Sequence, residues 1–195
     1  MNTQRLNPPK DWYMDGWFNC NKYFIGFTHL ITDIWHTWQE RGKEQWNMLE
    51  IGAHMGESTM LFASTGMFET IHVIEPFDGM EAFNTTEEMG WDKVKEEFDI
   101  NTRYFDNIKV YPTYSYKVPH KFEDASLDFI YMDAEHDYDS ISRDLDLYLP
   151  KLKPNGIIAG HDYNEAYWPG VVKAVHEKFG NEVNEFMDTS WIVKL

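Results

Sequence analysis

"MLEIGAHMGEST", Met48 to Thr59, decides how the rest of the chain is read. An apolar run closes on Glu50 and Ile51. Gly52 and Gly56 follow, and Ser58 and Thr59 open a helical pattern. A strand, a glycine-bearing turn and a helix start form the first half of a βα unit. The question the stretch raises is whether its turn binds a ligand or only turns.

Outward from it, the same alternation continues. Short apolar runs read as strands at 46–51, 70–75, 107–112, 127–133 ("LDFIYMD") and 156–160. Helical patterns lie between them at about 57–66, 87–100, 137–152 and 168–179. The pattern at 137–152 is the clearest, with Tyr138, Ile141, Leu145, Tyr148, Leu149 and Leu152 recurring on one side. Such alternation predicts a parallel sheet covered on both faces. The closing "NEVNEFMDTSWIVKL" reads as two strands around a turn, an antiparallel hairpin at the sheet's end. The fold class expected is α/β, a Rossmann-like, mostly parallel sheet.

Before this unit the texture differs. Residues 1–26 read as irregular, with Pro8, Pro9, Gly16 and Gly26 as breakers. Phe27, Leu30, Ile31, Ile34, Trp35 and Trp38 then share one helical face, and Gly42 stops the helix. That face must be buried. The division expected is an aromatic-rich helical cap over 1–42, closing the carboxyl edge of the sheet or building a contact with a second copy, and a main domain over 43–195. Trp12, Tyr13, Trp17, Phe18, Tyr23 and Phe24 are more often packing than acceptor wall on burial tendencies.

Composition narrows the function. Lys and Arg total 17 against 33 Asp and Glu, a net charge of −16, which argues against nucleic acid or an anionic membrane as the main partner. The single cysteine, Cys20, excludes an internal disulfide framework and a cysteine-built zinc site. No apolar run is long enough to span a bilayer, and the N-terminus lacks a signal peptide's apolar core, so the chain reads as cytoplasmic.

In an open parallel sheet, ligands lie beyond the carboxyl ends of the strands, near the point where strand order reverses. Acids and hydroxyls crowd those positions here: Glu50, Ser58 and Thr59 after the first strand, Glu75 in "IEPFDG" after the second, "PTYSY" after the third, "DAEHDY" after the fourth and "GHDYN" after the fifth. Three readings compete for the glycine turn. A dinucleotide site lacks its second glycine, because Ala53 and His54 follow Gly52, and no phosphate-cradling G-x-x-x-x-G-K-[ST] exists. A purely structural turn needs nothing more than Gly52 and Gly56. The third reading is a nucleoside with a zwitterionic tail, whose ammonium pairs with Glu50 and whose ribose hydroxyls bond Glu75. The two acids favour it, since a pyrophosphate would be repelled by Glu50.

"LEIGAHMGEST" resembles the first motif of class I S-adenosylmethionine-dependent methyltransferases, and "VIEPF" their ribose-binding motif. "LDFIYMDAEHDYDSISRDLDLYLPKLKPNGIIAGHDY" is similar to the later half of small-molecule O-methyltransferases. The resemblance spans about 45–180, with Asn155 where the family often has glycine. It implies a seven-stranded sheet whose last strand is antiparallel. It also implies S-adenosylmethionine as cofactor, surrounded by Glu50, Gly52, Ala53, Gly56, Ser58, Thr59, Glu75, Pro76, Phe77, Ser115 and Asp133. The acceptor implied is a small molecule, with a sugar or phenolic hydroxyl as the methyl-accepting group. Metal-dependent members hold a divalent ion such as magnesium or manganese at two neighbouring strand ends. Asp133, His161 and Asp162 match those positions, though His161 replaces a carboxylate, which favours softer ions than magnesium. Glu135 aligns with a proposed base, and His136 beside it can also accept a proton. Structural roles compete for each: Asp133 as a cofactor contact, His161 as a packed residue, His136 or Asp137 as a helix cap. Tyr163, Tyr167 and Trp168 are better placed than the N-terminal aromatics to touch an acceptor. The alternatives from other classes are a module that binds S-adenosylmethionine without turnover and a NAD-dependent oxidoreductase.

Overall fold

The computed structural model describes residues 21–78 and 90–195. Its sheet contains β1 (Trp46–Ile51), β2 (Phe68–Ile74), β3 (Ile108–Tyr111), β4 (Leu127–Met132), β5 (Leu152–Gly160), β6 (Asn184–Glu185) and β7 (Trp191–Lys194). The strand order is β3-β2-β1-β4-β5-β7-β6. β1 pairs in parallel with both β2 and β4, and β7 is antiparallel to β5 and β6. This is the mostly parallel seven-stranded sheet with a closing antiparallel pair that the motifs implied. Strand order reverses between β1 and β4, so a crevice opens between their carboxyl ends.

Helices α1 (Asn21–Glu40), α2 (Glu57–Ser64), α3 (Trp91–Thr102), α4 (Tyr138–Tyr148) and α5 (Pro169–Phe179) cover the sheet. Alternation along each strand feeds two cores. Phe129 and Tyr131 of β4 join Phe27 and Leu30 of α1, Phe62 of α2 and Phe98 of α3 on one face. Ile130 and Met132 join Leu145 of α4 and Val175 of α5 on the other.

Two readings of the N-terminal region change. Residues 21–26, read as irregular, are helical. Gly26 does not break α1, because the position is needed bare: a Cβ there would lie 2.5 Å from Asp188 in the turn before β7. Phe27, Leu30 and Ile34 are buried on the sheet with Ile31 and Trp38 packed against the same core, while Trp35 stays exposed. The aromatics at 12–18 and the first three residues of the 87–100 pattern lie outside the described residues. Elsewhere the differences are at element ends. The 137–152 pattern is α4 followed by a 3-10 turn at Leu149–Lys151, where Pro150 removes a backbone donor. Asn155 takes φ 64°, the left-handed conformation that asparagine tolerates, and so replaces the family's glycine.

Candidate active site

The turn after β1 is held from two sides. Gly52 has φ 82°, and a Cβ built on it would sit 2.1 Å from the Asp133 carbonyl oxygen. Gly56 has φ 77° and backs onto the Phe98 ring, 2.8 Å from a built Cβ. Each glycine is thus bare for a reason internal to the fold. Ala53 and His54 donate their backbone N–H groups to Glu75 Oε2, at 3.0 and 2.9 Å, and Phe77 N–H donates to Oε1 at 3.0 Å. A carboxylate offers about four lone-pair sites, so Glu75 keeps room for about one ribose hydroxyl while these three bonds stand. The Phe77 ring packs edge-on against Phe98, 5.3 Å between centroids. His54 and Phe77, with φ of 45° and 55°, are non-glycine residues in the left-handed region on either side of this carboxylate.

Glu50 is fully buried at the end of β1, and the Ser58 and Thr59 hydroxyls donate to its two oxygens. Burial raises its pKa to about 8; the Ser58 and Thr59 bonds oppose the rise, and the Asp133 and Glu75 charges add to it. A cation placed beside this carboxyl would favour its ionised form. The sign for the free protein follows. A folded pKa above the ordinary value means that the folded state holds a proton the unfolded state releases. Stability therefore falls as pH rises from 4.5 towards 8. His161, raised to about 9, adds a fall of the same sign from 6.5 upward. The thermal midpoint of the free protein is expected to drop steadily over this range, and Glu50→Gln, which cannot ionise, should flatten the lower part. An identical pH profile in that variant would show that Glu50 is not held protonated.

The second cluster stands after β4 and β5. Asp162, with φ 61°, turns its carboxylate back between two imidazoles. Oδ2 lies 2.6 Å from His136 Nε2, and Oδ1 lies 3.1 Å from His161 Nδ1. Trp168 stacks on the His136 ring at 4.2 Å. Asp133, His136 and Asp162 each offer a donor atom within 4.8 Å of the others. Burial raises the Asp133 pKa to about 6; His161 pulls it down and Asp162 pushes it up. Burial would lower the pKa of His136, but the hydrogen bond and charge of Asp162 outweigh it and hold the ring above the ordinary imidazole value. The same carboxylate is held well below its usual range against the cost of its burial, because both imidazoles bond to it.

The placement differs from the sequence reading at several residues. His161 does not enter the trio of donor atoms that lie within 4.8 Å of one another. Its ring is buried and its Nδ1 faces Asp162, while His136 reaches across from the β4 loop to take that place. The signal was present in "DAEHDY", where His136 stands three residues after Asp133 on a short loop. Glu135 is exposed and outside the trio. Asp137, not His136, caps α4, accepting from Ser140 N–H at 2.9 Å. Ser115 gives its hydroxyl to Asp144 rather than to the crevice. Tyr167 is 76% exposed beside Trp168.

A family model described as "Methyltransferase domain" matches residues 49–163, which is more than half of the chain. The chain belongs to this methyltransferase family. Glu50, Glu75, Asp133 and Asp162 all fall within the matched span. Among solved structures it is similar to CalS11, named a TDP-rhamnose 3'-O-methyltransferase of calicheamicin biosynthesis, at 17% identity and TM-score 0.59, over 85% of this chain and 80% of that one. It is also similar to a protein from Corynebacterium glutamicum at 11% identity and TM-score 0.57, over 78% and 73%. A precorrin-8w decarboxylase from Methanobacterium thermoautotrophicum aligns at 14% identity and TM-score 0.55, over 78% and 83%. At these identities the three share a fold with it. No curated protein matches the chain by sequence. The chain is thus a class I methyltransferase in family and fold, and the family is S-adenosylmethionine-dependent. Among the described residues no helix is long and apolar enough to cross a membrane.

Proposed function

We propose that this methyltransferase transfers the methyl group of S-adenosylmethionine to a hydroxyl oxygen of a small molecule, a sugar or a phenol. The observation that carries the reading is the convergence of Asp133, His136 and Asp162 at adjacent strand ends, across the crevice from Glu50 and Glu75. In the reaction a lone pair on the acceptor oxygen forms the new O–C bond as the C–S bond breaks. S-adenosylhomocysteine leaves, and the acceptor's proton passes to a base. Alignment supplies much of the rate in such a transfer. A hydroxyl needs more than alignment, because it is a poor nucleophile until its proton is taken, and that need suits a carboxylate and imidazole cluster. CalS11, which has the same fold, is named for methylation at a sugar oxygen.

Glu50 receives the cofactor's ammonium, Glu75 the ribose, and Ala53 and His54 hold Glu75 in place. Two carboxylates and one imidazole are a donor set that fits a divalent ion of the manganese, iron or zinc type. When bound, such an ion would lower the pKa of an acceptor hydroxyl. Asp162 orients the His136 ring, and Trp168 stacks on it. A second reading has its own observation: the 2.6 Å contact of His136 with Asp162 is that of an imidazole oriented by a carboxylate to act as base. A proton or an ion can occupy the space between them, not both.

Chelation separates the two. Protein purified without chelator should contain a stoichiometric divalent metal. Turnover on sugar or phenolic hydroxyls should fall about tenfold or more in EDTA and return on adding manganese or zinc. Full turnover in EDTA would remove the ion and leave His136 as the base. Cofactor binding with no turnover on any hydroxyl would leave a binding module.

A further inference from the structure

The turn after β3 is held by a buried triangle that methyl transfer itself does not use. Ser115 opens the 3-10 turn Ser115–Lys117, and its hydroxyl donates to Asp144 of α4, 2.7 Å from Oδ1 and 2.8 Å from Oδ2. Tyr148, one helical turn further on, donates its hydroxyl to the Ser115 carbonyl at 2.6 Å. All three residues are buried. A carboxylate in such a place is costly, and a well-packed apolar residue is often the more stable choice. Burial holds the Asp144 pKa above the ordinary carboxylate value, with the Ser115 bond and Arg143 opposing it.

The grip continues outward. The Arg143 guanidinium lies 5.0 Å over the Tyr116 ring and 3.6 Å from Asp144. Tyr116 stacks on Tyr114, 5.5 Å between ring centroids. At its other end α4 begins from Asp137, next to His136. A single helix thus runs from the acid and imidazole cluster to the turn after β3. A hydroxyl has one proton, and Ser115 has committed its own to Asp144. What Ser115 offers a nucleoside is therefore the position of its main chain.

We propose that Asp144, with Tyr148, is a positioning residue for the cofactor: it fixes the turn at 114–117 as the wall against which the nucleoside lies. The inference rests on the reading of Glu75 and Ser115 as cofactor contacts.

Calorimetric titration with S-adenosylhomocysteine tests it on the full chain, alongside thermal midpoints and steady-state kinetics. Asp144→Ala and Tyr148→Phe should each weaken binding by about tenfold, the scale of one hydrogen bond to a charged or buried partner. The effect should appear in KM for S-adenosylmethionine more than in kcat. Ser115→Ala should add little to Asp144→Ala, since both remove the same bond. Ser115→Thr, which keeps a hydroxyl, should lose less than Ser115→Ala. Tyr148→Phe keeps the ring against Phe122 and decides the matter even if Asp144→Ala does not fold. Variants that bind like wild type, or Ser115 and Asp144 losses that simply add, overturn the proposal. A wild-type protein that does not bind S-adenosylhomocysteine overturns the cofactor reading itself, and this inference with it.

Discussion

Asp162→Asn is expected to lower kcat/KM by about a hundredfold to ten-thousandfold, the range that a positioned proton-transfer group supplies, while S-adenosylhomocysteine still binds. Asparagine is the informative replacement. It tolerates the left-handed conformation that Asp162 adopts, where alanine would add backbone strain to the lost charge. It also keeps one acceptor oxygen, so the loss reports the charge. That charge faces His136 at 2.6 Å and His161 at 3.1 Å. Without it the balance at His136 tips towards burial, which disfavours the imidazolium, and the ring's pKa falls. Whether an ion binds there or His136 acts as base, the proton must first leave that ring. Residual activity should therefore reach its plateau at a lower pH than in wild type. Activity within about threefold of wild type, with an unshifted profile, would remove Asp162 from the chemistry.

The residues that set this site were unevenly legible. β1 was readable to the residue, because "WNMLEI" is bounded by a polar stretch and by Gly52, and the strand covers those six positions. The closing hairpin was readable from "NEVNEFMDTSWIVKL", although β6 is only Asn184–Glu185. The start of α1 was not. A glycine at position 26 reads as a breaker on local propensity, and only tertiary packing on Asp188 explains it. At the site, Glu50, Glu75, Asp133 and Asp162 could be placed at strand ends by the alternation alone. The exchange of His161 for His136 could not. It depends on which way a short loop folds back, and that is set by Asp162 at φ 61° and by Trp168 stacked on the imidazole. Ser115 shows the same limit. Its position at the carboxyl end of β3 was readable, but its hydroxyl goes to Asp144, twenty-nine residues later in the chain.

Gly52→Ala is expected to destabilise the protein by more than about 3 kcal/mol, beyond the usual range for overpacking, because nothing near it can yield. The three nearest atoms to an added Cβ are the Asp133 carbonyl oxygen at 2.1 Å, its carbon at 2.6 Å and the Ala134 Cα at 2.7 Å, all backbone. That backbone is itself tied to β1, since Asp133 N–H donates to the Ile51 carbonyl at 2.8 Å. Two further glycines serve as internal standards. Gly56→Ala meets the edge of the Phe98 ring, a side chain that can tilt, and should cost about 1–3 kcal/mol on top of the left-handed backbone penalty. Gly42→Ala meets nothing within 4 Å and should cost only the left-handed backbone penalty, about 1–2 kcal/mol. Denaturant unfolding of the three variants should rank them in that order. Equal losses would mean that backbone conformation alone is at work and that the β1 and β4 ends can part. The predicted order means that they cannot. Gly52 then fixes the spacing between the Glu50 and Asp133 carboxyl groups, and the two halves of the crevice are set by one bare Cα.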